Sequence, residues 1–337
     1  MSQSKKRRAD SKPTEKTPAS NTTAGDRKGR WTGFIIISLV IAVILMVAGT
    51  FYYQEYVAPF QLTVIKVDDT TVKMDSVVRR ARLTGATSLA LLQSLAEEQV
   101  IKLEAPRYGI QVSPEDIDQE LRRVAQGEGE TISESEFKEW YRQLLNEAAL
   151  SDEEYKEIVH ASLLASRFQE YLAARISTVT EQVYLNIIQV KTSEDAEEIR
   201  ARWETGEDFA ELAREASIHE PSKEEGGEAG WVARGVLDDI FDYWAFSLDV
   251  GEVSEPIPEI TYPNPDASSY LLLMVSEKTD ARELDDDSLA VLRDQALQDW
   301  LLEEKQFHEI TYHGFNNGFD SETEAWINWQ TSKQAGS

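Results

Sequence analysis

The sequence predicts an α+β protein on a single N-terminal transmembrane helix: a mostly helical domain, then a smaller domain of helices packed on a small sheet. Three observations predict it. Residues 31–54 form an apolar run with no charged side chain. From about residue 70 to 177 apolar residues recur at helical spacing behind clear start signals. Near residue 180 the pattern changes to strands alternating with helices.

The apolar run, WTGFIIISLVIAVILMVAGTFYYQ, matches the roughly 20 residues that cross a hydrocarbon core about 30 Å thick. A cleavable leader would have a shorter apolar region and a small-residue cleavage site, for which Val47-Ala48-Gly49 is a poor candidate. Nine Lys or Arg precede Trp31 (Lys5, Lys6, Arg7, Arg8, Lys12, Lys16, Arg27, Lys28 and Arg30), and the next is Lys66. The positive-inside rule then keeps the N-terminus in the cytoplasm and sends the remainder out. Trp31 at one end and Tyr52, Tyr53 and Tyr56 at the other suit interfacial aromatic belts. The expectation is a single-pass protein of the cytoplasmic membrane with its domains on the extracytoplasmic side.

Residues 1–30 are Lys-, Ser- and Thr-rich with almost no large apolar side chains, and are expected to be a disordered basic cytoplasmic tail. The alternation in Gln61–Val67 predicts a short strand. Leu89, Leu92, Ala96, Val100 and Leu103 share a helix face, with Gly109 as a C-terminal cap. Ser113-Pro114-Glu115-Asp116 is a helix start with acids on the positive dipole end, and Ile117, Leu121 and Val124 are that helix's expected buried face. Ser133-x-x-Glu136 and Ser151-x-x-Glu154 read as capping boxes. The stripes Phe137, Tyr141, Leu144 and Tyr155, Ile158, Val159, Leu163 behind them are read as core. Val183–Val190 then predicts a strand, 194–206 and 208–217 helices, EEGGEAGW a turn, 238–247 a helix and 270–276 a last strand. Residues 285–307 return to an amphipathic helix with Leu289, Leu292, Ala296, Trp300 and Leu301 on its apolar side. The segment after His313, with Trp326 and Trp329 in polar surroundings, is expected to be a loosely held tail.

Composition excludes several function classes. The net charge is −27, yet the first 30 residues carry nine basic and three acidic groups, so the remainder is strongly acidic. Such a surface repels nucleic acid. There is no cysteine, hence no disulfide, thiolate nucleophile, Cys-ligated metal or lipidated cysteine. Neither a Gly-x-Ser-x-Gly elbow nor a phosphate-binding loop occurs. His160, His219, His308 and His313 are not spaced as a metal site, and His308 and His313 are expected at the surface. No metal and no cofactor are expected.

Residues 183–278 carry an ordered set of motifs: VYLNIIQVKTSEDAEEIRARWETGEDFAELAREAS, then GGEAGWVARGVLDDIFDYWAFSLDVGEVSEPI, then SYLLLMVSEK. In this order and spacing they resemble the parvulin-type (PpiC-like) peptidyl-prolyl isomerase domain. The preceding AEEQVIKLEAPRYGIQVSPEDIDQELRRV is similar to the N-terminal chaperone domain of SurA- and PpiD-type foldases. The resemblance implies a helical chaperone domain over 61–177 completed by 285–310, a parvulin-type domain over 180–280 with a small antiparallel sheet, and a C-terminal tail over 311–337. It also implies a membrane-anchored folding factor whose partners are unfolded or newly translocated polypeptides with X–Pro segments, with the translocon as a candidate neighbour.

By position in the motif, Leu237 and Phe241, with Val232 beside them, would line a proline pocket; ordinary core packing is the competing account of all three. The sequence departs from the family at its two usual histidines, where it has Ile187 and Leu271. Losing one partner of a buried polar pair costs about 1–3 kcal/mol, whereas replacing both is nearly neutral, so the fold should survive. A third family position, usually Asp or Cys, is His219. It is either a donor to the substrate carbonyl or a solvent-exposed loop histidine. Three readings stay open: a slow isomerase, a non-catalytic chaperone, and a structural partner of the secretion machinery. Pro256–Tyr270 is longer than the family's usual turn and borders the expected cleft.

Overall fold

The computed structural model describes residues 26–85, 88–127, 129, 131–260 and 267–332, with side chains described from residue 37 onward except at 88. The expected tail up to residue 25, the Trp31 side chain, the tip 261–266 of the long turn and residues 333–337 lie outside the described residues. The chain divides into two units, Met1–Leu62 and Thr63–Ser337.

The first unit holds helix α1 (Asp26–Tyr56) and a single turn, α2 (Ala58–Gln61). Within α1 the 20 residues Ile37–Tyr56 are long and apolar enough to cross a membrane, and none of that window is buried within the protein. The helix starts at Asp26, so residues 26–30 are helical rather than part of the tail. A helix nucleated by the apolar run extends readily into its flank, because each added residue closes another hydrogen bond.

The second unit begins with β1 (Thr63–Val67), β2 (Thr70–Lys73), α3 (Met74–Thr84), α4 (Ser88–Glu104), α5 (Pro114–Gln126), α6 (Glu134–Ala148) and α7 (Asp152–Ala173). It continues with β3 (Val179–Val190), α8 (Ser193–Glu204), α9 (Phe209–Ala216), α10 (Glu220–Lys223), β4 (Glu228–Ala233), α11 (Asp239–Ser247), β5 (Ile257–Ile260) and β6 (Ala267–Glu283). The chain ends in α12 (Asp286–Glu304), β7 (Ile310–Tyr312) and α13 (Ser321–Ser332). Two antiparallel sheets result, of order β2-β1-β7 and β4-β3-β6-β5.

The helical domain is built on the smaller sheet. Val64, Ile65 and Val67 of β1 are fully buried with Met74, Val77, Leu92 and Val100 from α3 and α4. Leu91, Leu95 and Ile101 join them, whereas Leu89 is exposed. The expected helix starts at Ser113, Ser133 and Ser151 are all capping boxes in which the Ser accepts the third backbone N–H and the acid returns the bond. On α5 only Leu121 is fully buried and Val124 is exposed. Helix α5 packs on both α7 and α6. Gly109, in the left-handed region at φ 77°, closes a 3-10 turn over Ala105–Tyr108 rather than α4 itself.

Asp116 ties α5 to α7. It accepts bonds from Arg167 at 2.9 Å and from the Ser113 N–H and hydroxyl at 2.7 and 2.8 Å. Arg167 first, then these Ser113 donors, hold its carboxyl well below the usual carboxylate range. A depressed acid stabilises the fold fully above its unfolded pKa of about 4, and that contribution is lost as pH falls toward the folded value. The thermal midpoint of Asp116→Asn should therefore lie below wild type at pH 7, and the gap should narrow below about pH 4. Melting curves at pH 7 and pH 3 check this; a gap that does not change with pH would refute it.

The segment after His313, expected as a loosely held tail, is instead packed over its described residues, and the strand just before it joins the smaller sheet. Strand β7 pairs with β1 in the register Ile65↔Tyr312 and Val67↔Ile310. Helix α13 buries Thr323 and Ile327 and lies on α3 and α4. The reason is an unsatisfied sheet edge: β1 has β2 on one side only, and β7 supplies the other ladder. His308, expected at the surface, has a side chain only 6% exposed for the same reason, since it sits just before that strand.

Candidate active site

Strand β3 is the spine of the four-stranded module. One of its faces carries Ile188 and Val190, buried with Leu272 of β6 and with Ile199, Phe209, Leu212 and Ala213 from α8 and α9. The other carries Val183 and Leu185, buried with Leu273 and Val275 of β6, Ile257 of β5, and Ala245 and Phe246 of α11. Ile187, Val232, Leu237, Phe241, Trp244 and Leu271 are half-buried and pack against this second cluster. The five apolar positions singled out in the sequence thus converge on the α11 side of the sheet. Ile187 faces Leu273 across the β3–β6 ladder and Gln189 faces Leu271. Ile187 and Leu271 are therefore diagonal neighbours on one face.

The motif residues position this face. Asp208 caps α9 through the N–H groups of Ala210 and Glu211, so Phe209 and Leu212 enter the core. The buried Ser217 hydroxyl accepts from Gln189 N at 3.2 Å, and Ile218 N donates to Gln189 O at 2.7 Å, fixing the loop to β3. Gly226 and Gly227 follow at φ 74° and 88°. Ile187 N donates to Gly227 O at 2.7 Å. A Cβ at Gly227 would lie 2.8 Å from Ile187 O, and one at Gly226 would lie 2.6 Å from Ala210 Cβ, so both close approaches require glycine.

The Arg-Gly pair sets the entry to α11. The Arg234 guanidinium lies 4.2 Å over the Phe246 ring and pairs with Glu181 at 2.7 Å. Gly235 N donates to Asp242 at 2.7 Å. Burial pushes the Asp242 carboxyl above its ordinary value, with the Gly235 N–H and Arg234 pulling the other way. Leu237 and Phe241 are thereby held at the start of α11. Beyond α11, Gly251 N donates to Val275 O, and Ser254 exchanges bonds with Leu273, so the final motif zips onto β6.

His219 is placed differently. Its N–H donates to Ser217 Oγ at 3.2 Å and its Nδ1 lies 2.7 Å from Ser222 Oγ, so its polar partners belong to its own loop. A polar group not singled out in the sequence lies beside Leu271 instead. Gln189 Nε2 donates to Glu259 at 2.8 Å and to Ser269 at 3.0 Å, and the Ser269 hydroxyl also donates to Glu259. Glu259 and Ser269 face each other across β5 and β6, two residues from Leu271 and so on its face. Period-two counting from Ile187 would have found Gln189. Glu259 and Ser269 needed the hairpin: residues expected as one long turn form β5 and the start of β6. Among the described residues, the one group of metal-ligand type, Glu104, Glu304 and His308, lies in the helical domain.

Residues 187–262 match the rotamase family described as the PPIC-type PPIase domain. The four-stranded module is a parvulin-type domain. Curated relatives include a foldase protein PrsA of Halalkalibacterium halodurans, 29% identical over 58% of this chain and 59% of its own length. Another is a periplasmic chaperone PpiD of Haemophilus ducreyi, 26% identical over 45% of this chain and 24% of its own. The chain thus spans less than two thirds of the length of these two relatives. The crystal structure of a peptidylprolyl isomerase (PrsA) from Bacillus cereus aligns over 82% of this chain and 93% of its own, at 17% identity and a TM-score of 0.38. Ile187 and Leu271, the two positions that the resemblance pairs with histidines, both pack on the apolar cluster.

Proposed function

We propose that the chain is a membrane-anchored extracytoplasmic folding factor whose parvulin-type domain binds X–Pro segments of unfolded, newly translocated polypeptides. The observation that carries the proposal is the half-buried apolar group of Val232, Leu237 and Phe241 beside Ile187 and Leu271, held by family motifs on one face of the sheet. Helix α1 would tether it, with the basic N-terminus in the cytoplasm. The foldase and chaperone names of the relatives support polypeptide clients. Translocon contact is a finer proposal, resting only on the tether.

Rotation about an X–Pro bond takes tens to hundreds of seconds uncatalysed, because the planar amide is stabilised by resonance. The planar form carries more charge on its oxygen than the twisted one, so an apolar surface that displaces water from the amide favours the twisted form. Phe241 and Leu237 would seat the prolyl ring. With Ile187 and Leu271 apolar, polar support would have to come from Gln189, Ser269 or His219, and those groups are bonded to neighbours. That observation favours a second reading, a client-holding domain without catalysis.

Proline-limited refolding of a reporter protein, with the chain in lipid nanodiscs, separates the two. Isomerase action predicts acceleration over the uncatalysed rate, reduced about ten-fold or more in Phe241→Ala while the domain stays folded. Suppressed aggregation without acceleration assigns the domain to holding. Neither effect would overturn the proposal.

A further inference from the structure

In the helical domain the ends of α4 and α12 meet the segment before β7. There His308 Nδ1 is 2.7 Å from Asp68 Oδ2, and Asp68 Oδ1 accepts from Glu309 N at 2.9 Å. With a carboxylate as its partner, Nδ1 carries the hydrogen and the opposite nitrogen is left to act. That nitrogen, Nε2, points between Glu104 Oε1 at 3.6 Å and Glu304 Oε1 at 3.8 Å. The His308 side chain is 6% exposed and that of Glu104 is 3% exposed; neither Nε2 nor Glu104 Oε1 has a hydrogen-bond partner. Arg107 lies 2.7 Å from Glu104 Oε1 without hydrogen-bond geometry and donates to Oε2 at 2.8 Å, from a side chain 72% exposed.

Three electron-pair donors therefore face one another, their atoms all within 4.8 Å. A proton shared between Nε2 and a carboxylate would draw the pair to about 2.7–2.9 Å. Ligands around a tetrahedral ion with bonds of about 2.0–2.1 Å stand about 3.3 Å apart, closer to the observed spacing. One nitrogen and two carboxylates suit a first-row divalent transition ion better than calcium or magnesium, which take all-oxygen sets. Asp68 is placed as such sites place the carboxylate behind a ligating imidazole.

We propose that Glu104, Glu304 and His308 bind a divalent transition cation, with Asp68 as the positioning residue, and that the ion clamps the returning C-terminal segment onto α4. The ligands come from positions about 200 residues apart, so the ion closes a long loop and stabilises the folded unit without taking part in client chemistry.

The test uses the full chain in detergent, stripped with EDTA and titrated calorimetrically with zinc chloride against millimolar magnesium, which occupies the acidic surface. Wild type should take up one equivalent and melt higher with zinc than without. His308→Asn should lose that uptake, and Asp68→Asn should weaken it about 10–100-fold; Asn tolerates the positive φ of 51° at that position. Should His308→Asn not fold, Glu304→Gln, at a helix end and 22% exposed, carries the same expectation. Cobalt in place of zinc should give the visible absorption of a low-coordinate site, absent in the same variants. No stoichiometric uptake by wild type, or uptake unchanged in Glu304→Gln and Asp68→Asn, overturns the proposal.

Discussion

Gly227→Ala is expected to destabilise the parvulin-type domain by about 3 kcal/mol or more, among the larger effects a single methyl can have. Two costs add. At φ 88° an L side chain meets its own backbone, worth roughly 1–2 kcal/mol. The added carbon would also lie 2.8 Å from Ile187 O and 3.1 Å from Ala213 Cβ, so strand β3 or helix α9 must move. Neither moves freely, because Ile187 N is bonded to Gly227 O and Ala213 is fully buried. Gly230 supplies the control: its φ is 86° and nothing lies within 4 Å of a Cβ there. Gly230→Ala should lose only the strain portion. Chemical denaturation of both variants gives the comparison, and equal losses would show that the close approach to Ile187 contributes nothing.

The same glycines mark what was legible in the sequence. GGEAGW, the Ser-x-x-Glu boxes and the Ser217 loop are local signals: each residue type is fixed by a turn, a cap or a close pass within a few positions of itself. The α+β class followed from such signals and from apolar periodicity, the transmembrane-length helix from an uncharged apolar run, and the parvulin-type domain from the resemblance that its ordered motifs carry. Ile187, Leu271, Val232, Leu237 and Phe241 were singled out by their positions in the motif that carries the resemblance, and all five pack against one cluster. The capping boxes hold because a side chain three residues away has few alternatives.

What the sequence hid depends on partners far along the chain. Ile310–Tyr312 is β-prone but too short to read as a strand by itself; it pairs because β1, some 245 residues earlier, offers an open edge. His308 reads as a surface residue until Asp68, Glu104 and Glu304 are gathered around it. Glu259 and Ser269 read as turn residues until β5 pairs with β6. Leu89 and Val124 show the converse: both are in phase with their helices' apolar rows, yet sit where no neighbouring element covers them. Periodicity names a face, and tertiary neighbours decide how much of it is covered.

Phe168→Ala is the second large expectation, a loss of about 3–5 kcal/mol. Phe168 on α7 is fully buried and lies at the centre of an aromatic group, 4.6 Å from the Trp300 ring of α12, 5.1 Å from Tyr108 and 6.1 Å from Tyr171. These contacts, with Gln169 accepting from Leu297 N at 3.1 Å, hold α12 on α7. Three large rings cannot close in on the space a benzyl group leaves without shifting α12, so the cavity term should sit near the top of its range. The consequence extends beyond the helical domain, because Leu292 of the same helix lies against Gly235, at the entry to α11. A loosened α12 should therefore weaken both sheets' surroundings together. Calorimetry should show a single transition displaced downward by about 10 °C, on the basis of roughly 2–4 °C per kcal/mol for a unit of this size. Trp300→Ala in the Phe168→Ala background should then cost much less than it does alone, since the two rings share one contact. A parvulin-type transition that stays in place while only the helical domain melts early would show that α12 does not couple them.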